Sequence, residues 1–261
     1  MHKLEDTQNE ADQRNVPIHR VGIRELKFPL RFRDSDGSAQ ATVAEIGMSV
    51  SLPASVRGTH MSRFVSILSE HAEEISVASM PGLMGIVNEQ LEADGSTVTF
   101  DFPFFVTKEA PVSKLPGKID YGVHIDTMSE HGEVTTTLSL EVPVTTLCPC
   151  SRNISDRGAH NQRGVVTVTL EGPKLPSLKS LIKLVEDCGS ADLYSVLKRP
   201  DEKFVTERAY DRPVFVEDLV RNVAVRLKKL KGVSSFQIEG ENFESIHNHN
   251  AFAVVIEDTP E

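Results

Sequence analysis

Cysteine is scarce in this sequence: among 261 residues there are only Cys148, Cys150 and Cys188. Three thiols cannot build a disulfide scaffold, and an odd count leaves at least one of them free. An apolar run of about 18 residues, the length a membrane helix needs, is missing as well. So is any apolar stretch at the amino end, where MHKLEDTQNEADQRN is polar and mixed in charge. We expect residues 1–17 to be a disordered leader, not a secretory signal. Without an export signal, the thiols should be reduced, in a cytoplasmic protein. Excess positive charge is also lacking. The formal net charge is −10, which argues against a protein that coats nucleic acid, because that task needs a basic face to displace counterions. A small anionic ligand needs only a local basic pocket, for which Lys198, Arg199, Lys203 and Arg208 are available.

Several motifs are absent too. There is no Gly-x-x-x-x-Gly-Lys-Ser/Thr phosphate loop and no Gly-x-Gly-x-x-Gly turn, so neither phosphoryl transfer nor a nicotinamide cofactor is indicated. His-Glu-x-x-His and Gly-x-Ser-x-Gly are missing, which disfavours zincin proteases and the usual serine hydrolases.

What is present reads as a globular α+β chain, with 39% hydrophobic and 25% charged residues. Val98, Phe100 and Phe102 alternate with Thr97, Thr99 and Asp101, and the same period of two recurs at Thr136–Val142 and Val166–Leu170. These are half-buried antiparallel strands. Helical spacing marks Phe64, Ile67 and Leu68, a stretch from Pro81 to about Leu91, and Leu178, Leu181, Ile182 and Val185. A last helix carries Phe215, Leu219, Val223, Leu227 and Leu230, with Asp211 before Pro213 as its start and Gly232 as its stop. Strands near 21–32 and 40–52 precede two helices, and strands near 96–105 and 119–126 follow. After the turn Ser129-Glu130-His131-Gly132 the same order returns. The expectation is two ββααββ units, 18–128 and 129–261, with helices on one face of antiparallel sheets.

Metal-binding and acid–base residue types gather after Val144. Cys148-Pro149-Cys150 ends a strand, and if the segment stays extended both thiols project from one side; two small buried hydrophobes are the plainer alternative. Gly158-Ala159-His160-Asn161-Gln162-Arg163 precedes the strand at Val165. Lys198-Arg199-Pro200-Asp201-Glu202-Lys203 reads as a charged loop between helices. Glu217 lies early in the last helix, and Glu241 through Asn250 brings Glu244, His247 and His249. Two imidazoles at i and i+2 face the same way in an extended chain. One thiolate, one imidazole and one carboxylate would hold a metal and leave a coordination position open, the pattern of a catalytic site. Histidines titrate near pH 6.5 and so can move protons at neutral pH.

Five ordered motifs, Gly58–Phe64, Pro143–Ser151, Gly158–Arg163, Leu197–Lys203 and Glu241–Asn250, together resemble GTP cyclohydrolase type IB, a bacterial folate-pathway family. The resemblance covers nearly the whole chain from about Asn15. It implies a tandem tunnelling fold (T-fold), a homotetramer with sites at subunit junctions, and conversion of GTP and water to 7,8-dihydroneopterin triphosphate and formate. By matching position it implies Cys148, His160 and Glu202 as ligands of one divalent metal, zinc or manganese. It also implies Glu217 as the guanine anchor, His247 and His249 as catalytic histidines alongside Cys148, and Arg63, Lys198, Arg199 and Lys203 as candidates for the triphosphate. Cys150 and Glu244 lie in the motifs without an assigned role. Two alternatives stand beside it: a T-fold nitrile reductase of the queuosine pathway, and a non-catalytic metal-binding protein on the same fold.

Overall fold

The computed structural model describes residue 8 and residues 10–258. Two compact units divide it, one of the residues up to Phe102 with His124–Leu138, the other of Pro103–Val123 with the residues from Ser139 on.

In the first unit, strands β1 (Ile18–Arg33) and β2 (Ala39–Leu52) form an antiparallel pair, with register shifts after Ile18 and Ile23 where β1 bulges. Helix α1 (Met61–His71), the two-residue strand β3 (Glu74–Ile75) and helix α2 (Met80–Leu91) follow, and then β4 (Gly95–Glu109), β5 (Pro116–Glu130) and β6 (Glu133–Leu147) begin or end here. The hydrogen-bonded order is β3-β1-β2-β4-β5-β6, antiparallel apart from β1 with β3. The expected alternation holds at Val98, Phe100 and Phe102, buried along β4, and Ala44, Ile46, Met48, Val50 and Leu52 are likewise buried along β2. They share a core with Phe64, Ile67 and Leu68 of α1 and Met80, Met84 and Val87 of α2. The hairpin between β5 and β6 turns at His131 (φ 52°) and Gly132 (φ 86°), two positive angles that suit the right-handed twist of the strands. The proposed leader falls partly outside the described residues. Its described part is tied down, with Ala11 bridging Val56 and the Asp12 amide donating to the Ser55 carbonyl at 3.0 Å.

In the second unit, the strand order is β4-β5-β6-β7-β8-β9, with β7 at Asn161–Glu171, β8 at Ser235–Asn242 and β9 at Ala251–Asp258. Four helices occur here among the described residues: α3 (Pro149–Ile154), α4 (Leu178–Glu186), α5 (Arg199–Asp211) and α6 (Val216–Leu227). Two were expected. The stretch read as a charged loop is the opening of α5, where Pro200 near the first helical position and Asp201 and Glu202 in the first turn suit a helix start. Asp211 accordingly ends α5 instead of starting the last helix, which opens at Val216 and stops at Leu227, before Gly232. Leu219, Val220, Val223 and Leu227 of α6 are buried with Leu181, Ile182 and Val185 of α4 and with Val166, Val168, Phe236 and Ile238 of the strands. At about 25 cal/mol per Å² of apolar area, each such side chain contributes roughly 1.5–3 kcal/mol to holding the layers together. Among the described residues, no helix is long and apolar enough to cross a membrane.

Candidate active site

Strand β6 ends at Leu147 because Pro149 has no amide hydrogen to continue the ladder. Pro149 instead takes the first position of α3, and Cys148 becomes the residue capping that helix. The Cys-Pro-Cys segment is therefore not extended. Cys150 is exposed on α3, while Cys148 is half-buried and its Sγ accepts the Ser151 amide at 3.5 Å. The Cys148 amide donates to the His160 carbonyl at 3.1 Å. Ser151 Oγ donates to the Cys148 carbonyl and accepts the His160 amide, each at 3.2 Å. One hydroxyl thus fastens the thiol segment to the imidazole segment. Sequence reasoning carried Ser151 only as part of a motif.

The His160 ring is held from behind. Its Nδ1 lies 3.0 Å from Gln162 Oε1 and 3.8 Å from Glu244 Oε2, while its Nε2 has no partner among the described residues. Glu244, which had no assigned role, is nearly buried beside the ring, its side chain 11% exposed.

Two backbone tethers and one side-chain bond gather the remaining groups. The Val214 amide donates to the Leu147 carbonyl at 3.0 Å, which brings the start of α6, and with it Glu217, next to Cys148. The Phe243 amide donates to the Arg163 carbonyl at 3.0 Å, and Asn250 Nδ2 donates to Glu241 Oε1 at 2.8 Å, closing the loop between β8 and β9. That loop is bent, not extended as expected, yet His247 and His249 still face one way, their rings stacked with centroids 5.0 Å apart. A pocket of about 260 Å³ results, lined by Cys148, His160, Glu217, Glu244, His247 and His249 among others. Small-molecule pockets typically run from about 300 to 1,000 Å³, and this one lies just below that range.

Glu202 is not in that group. Asp201 beside it turns inward, with its carboxylate accepting the amides of Val112 (2.7 Å), Ser113 (2.8 Å) and Lys198 (2.9 Å) and the Ser113 hydroxyl (2.6 Å). Successive helical residues point about 100° apart, so Glu202 faces outward. Its side chain makes no hydrogen bond or ion pair among the described residues, while its amide donates to the Lys198 carbonyl at 3.0 Å. Among those residues, no three His, Cys, Asp or Glu side chains stand close enough to hold a metal ion. Of the expected donors, Cys148 and His160 line one pocket and Glu202 does not. Lys198, Arg199 and Lys203 are exposed at the start of α5, Lys203 paired with Glu207, and Arg63 is exposed on α1 in the first unit; none of the four lines the pocket.

A second polar cluster lies in the same unit. Lys108 Nζ contacts Glu186 Oε1 at 2.7 Å and Asp192 Oδ2 at 3.1 Å, Tyr121 donates to Glu186 at 2.8 Å, and Arg208 approaches Asp192 at 3.5 Å. Burial pushes the Glu186 carboxyl up, against the pull of Lys108 and Tyr121. Burial likewise pushes the Cys188 thiol up, and it does not line the pocket.

The family model described as type I GTP cyclohydrolase folE2 matches residues 4–253. The GTP cyclohydrolase FolE2 of Nitrosococcus oceani is 48% identical over 252 residues, covering 97% of this chain and 94% of that protein. The GTP cyclohydrolase FolE2 of Akkermansia muciniphila is 48% identical over 261 residues, covering 99% of each. Among solved structures, uricase from Arthrobacter globiformis matches with a TM-score of 0.51 at 6% identity, over 93% of this chain and 95% of that one, a likeness of fold alone.

Proposed function

The chain belongs to the type I GTP cyclohydrolase FolE2 family, and from that premise we propose how its residues open the purine ring of GTP. The activity is that of a GTP cyclohydrolase I. The observation that carries the site assignment is the pocket in which the backbone-linked pair Cys148 and His160 meets Glu217, Glu244, His247 and His249.

The donors fit a divalent cation. Cys148 offers a thiol, His160 presents an unpartnered Nε2, and the outward-facing carboxylate of Glu202 would serve as third donor only across a subunit junction. Sulfur, nitrogen and oxygen in that set suit zinc, and manganese tolerates them. When bound, such a metal makes a hydrolytic nucleophile available at neutral pH. Glu217, at the second position of α6, accepts hydrogen bonds from the ring N–H and amino group of guanine, each worth roughly 1.5–3 kcal/mol with a charged acceptor. His247 and His249 exchange protons with the purine, giving one to nitrogen 7 as water adds at carbon 8. The imidazole ring opens, a second hydrolysis releases formate, and the rearranged ribose carbons close the pterin ring with loss of water. The net uptake is one water. Lys198, Arg199, Lys203 and Arg63 remain the groups proposed to meet the triphosphate.

We read the element runs of 18–128 and 129–261 as tandem T-fold units, and the assembly as a homotetramer with sites at its junctions. Supporting this, β9 is the last strand in its order, and Phe252 (70% exposed), Val254 and Ile256 (71%) form an apolar row along it. An edge strand of that kind invites pairing.

Metal-stripped protein should release formate and a pterin that fluoresces after oxidation only when zinc or manganese is returned with GTP. Cys148→Ala should lose metal and turnover together. Formate release without metal would overturn the site assignment. The nitrile-reductase alternative would instead demand NADPH.

A further inference from the structure

Thr146, Gln162 and Asn242 each lie two residues from a pocket group: Cys148, His160 and Glu244. They come from the ends of β6, β7 and β8, and all three are buried, Thr146 completely. Their side chains join in one line. Gln162 Nε2 donates to Thr146 Oγ1 at 2.8 Å, and Thr146 Oγ1 donates to Asn242 Oδ1 at 3.0 Å. With its amide nitrogen spent on Thr146, Gln162 has only Oε1 to offer His160, 3.0 Å away, and a carbonyl oxygen can only accept. Nδ1 must then carry the proton. The Glu244 carboxylate 3.8 Å from the same nitrogen favours the same form. Nε2 is left with its lone pair. Gly164 keeps room for the line, since a Cβ there would meet Asn242 Oδ1 at 2.8 Å and the Glu241 carbonyl at 2.7 Å.

We propose that Gln162, Thr146 and Asn242 are positioning residues, a buried hydrogen-bond relay that locks His160 as the Nδ1–H tautomer and thereby sets the affinity of the pocket for a divalent cation. The inference rests on the assignment of Cys148 and His160 as metal donors. Partners behind a metal-binding histidine fix its tautomer and orientation, and removing them typically costs about 10–100-fold in metal affinity. A buried relay of neutral groups whose sole function was packing would influence stability instead.

The test is a Co²⁺ titration of the full chain, read by visible absorption against a competing chelator, with thermal unfolding measured in parallel. Gln162→Leu, which cannot accept from Nδ1, should weaken Co²⁺ binding by about 10–100-fold. Gln162→Glu keeps an acceptor for Nδ1 but loses the donor to Thr146, and should bind Co²⁺ more tightly than Gln162→Leu. Thr146→Val, nearly equal in shape and remote from the metal, should weaken binding to a smaller degree, and Thr146→Ser should restore it. Should Gln162→Leu not fold, the Thr146 pair decides alone. Co²⁺ affinity equal to wild type in Thr146→Val, no recovery in Thr146→Ser, or Gln162→Glu binding no tighter than Gln162→Leu overturns the relay. Failure of the wild-type chain itself to bind Co²⁺ overturns the metal-site assignment instead.

Discussion

The second unit holds its charges in two contrasting ways. Around α4 and α5, Lys108, Glu186 and Asp201 sit among fixed partners, at distances from 2.6 to 3.1 Å. Around the pocket, Cys148, His160, Glu217, His247 and His249 have few partners or none, though they crowd one concavity. Ionisable groups that are satisfied hold a scaffold together. Groups left unsatisfied at the mouth of a pocket have capacity to spare for a ligand. The first region explains why α5 stays where it is, and the second where a ligand would be met.

The contrast can be broken by substitution. The largest effect should come from the pocket: His247→Ala or His249→Ala should lower kcat for GTP by about 10²–10⁴-fold, the usual worth of a proton-transfer group, with thermal stability almost unchanged. A large drop in Tm with little change in kcat would place these histidines with the scaffold. Next, Lys108→Met strands the Glu186 carboxyl in a site where it is 7% exposed, and should destabilise the fold by about 3–5 kcal/mol in urea unfolding. A cost below about 1 kcal/mol, the value of a surface pair, would count against a buried network.

The finest test uses two buried carboxyls with opposite shifts. Glu186 is raised, chiefly by burial. Its contribution to stability is complete below the ordinary glutamate value and is lost as pH rises through the raised one. At Asp201 burial pushes upward too, yet donors from Ser113, Lys198 and Val112 outweigh it and hold the carboxyl well below the aspartate range. That contribution is present above the ordinary aspartate value and disappears as pH falls through the lowered one. Glu186→Gln should therefore flatten the fall of Tm on the side above the glutamate range, and Asp201→Asn the fall on the acid side. Parallel Tm–pH curves for wild type and both variants would show that donors do not distinguish the two sites.

Much of the scaffold was legible from periodicity. The alternation of Val98, Phe100 and Phe102 and the stripe of Leu219, Val223 and Leu227 are local, and both are buried in the fold as expected. The charged stretch from Lys198 to Lys203 was misread as a loop, although Pro200 with two following acids was a helix-start signal in plain view. Which of those acids turns inward was not legible. Asp201 and Glu202 are chemically alike and adjacent, and only the amides of Val112 and Ser113, 88–89 residues away in sequence, select between them.

The sequence by itself determined the strands and helices with strong periodicity, the motif set that marks the family, and the supply of thiol, imidazole and carboxylate. Those depend on neighbours along the chain, whose spacing is fixed by backbone geometry. Tertiary structure alone decided which donors meet: Cys148 with His160 through Ser151, Glu244 beside the ring, Glu202 facing out, and a relay joining Thr146 to Asn242 across 96 residues. A hydrogen bond requires its atoms within about 3 Å at the right angle, and no pattern of residue types along a chain encodes a distance between strands.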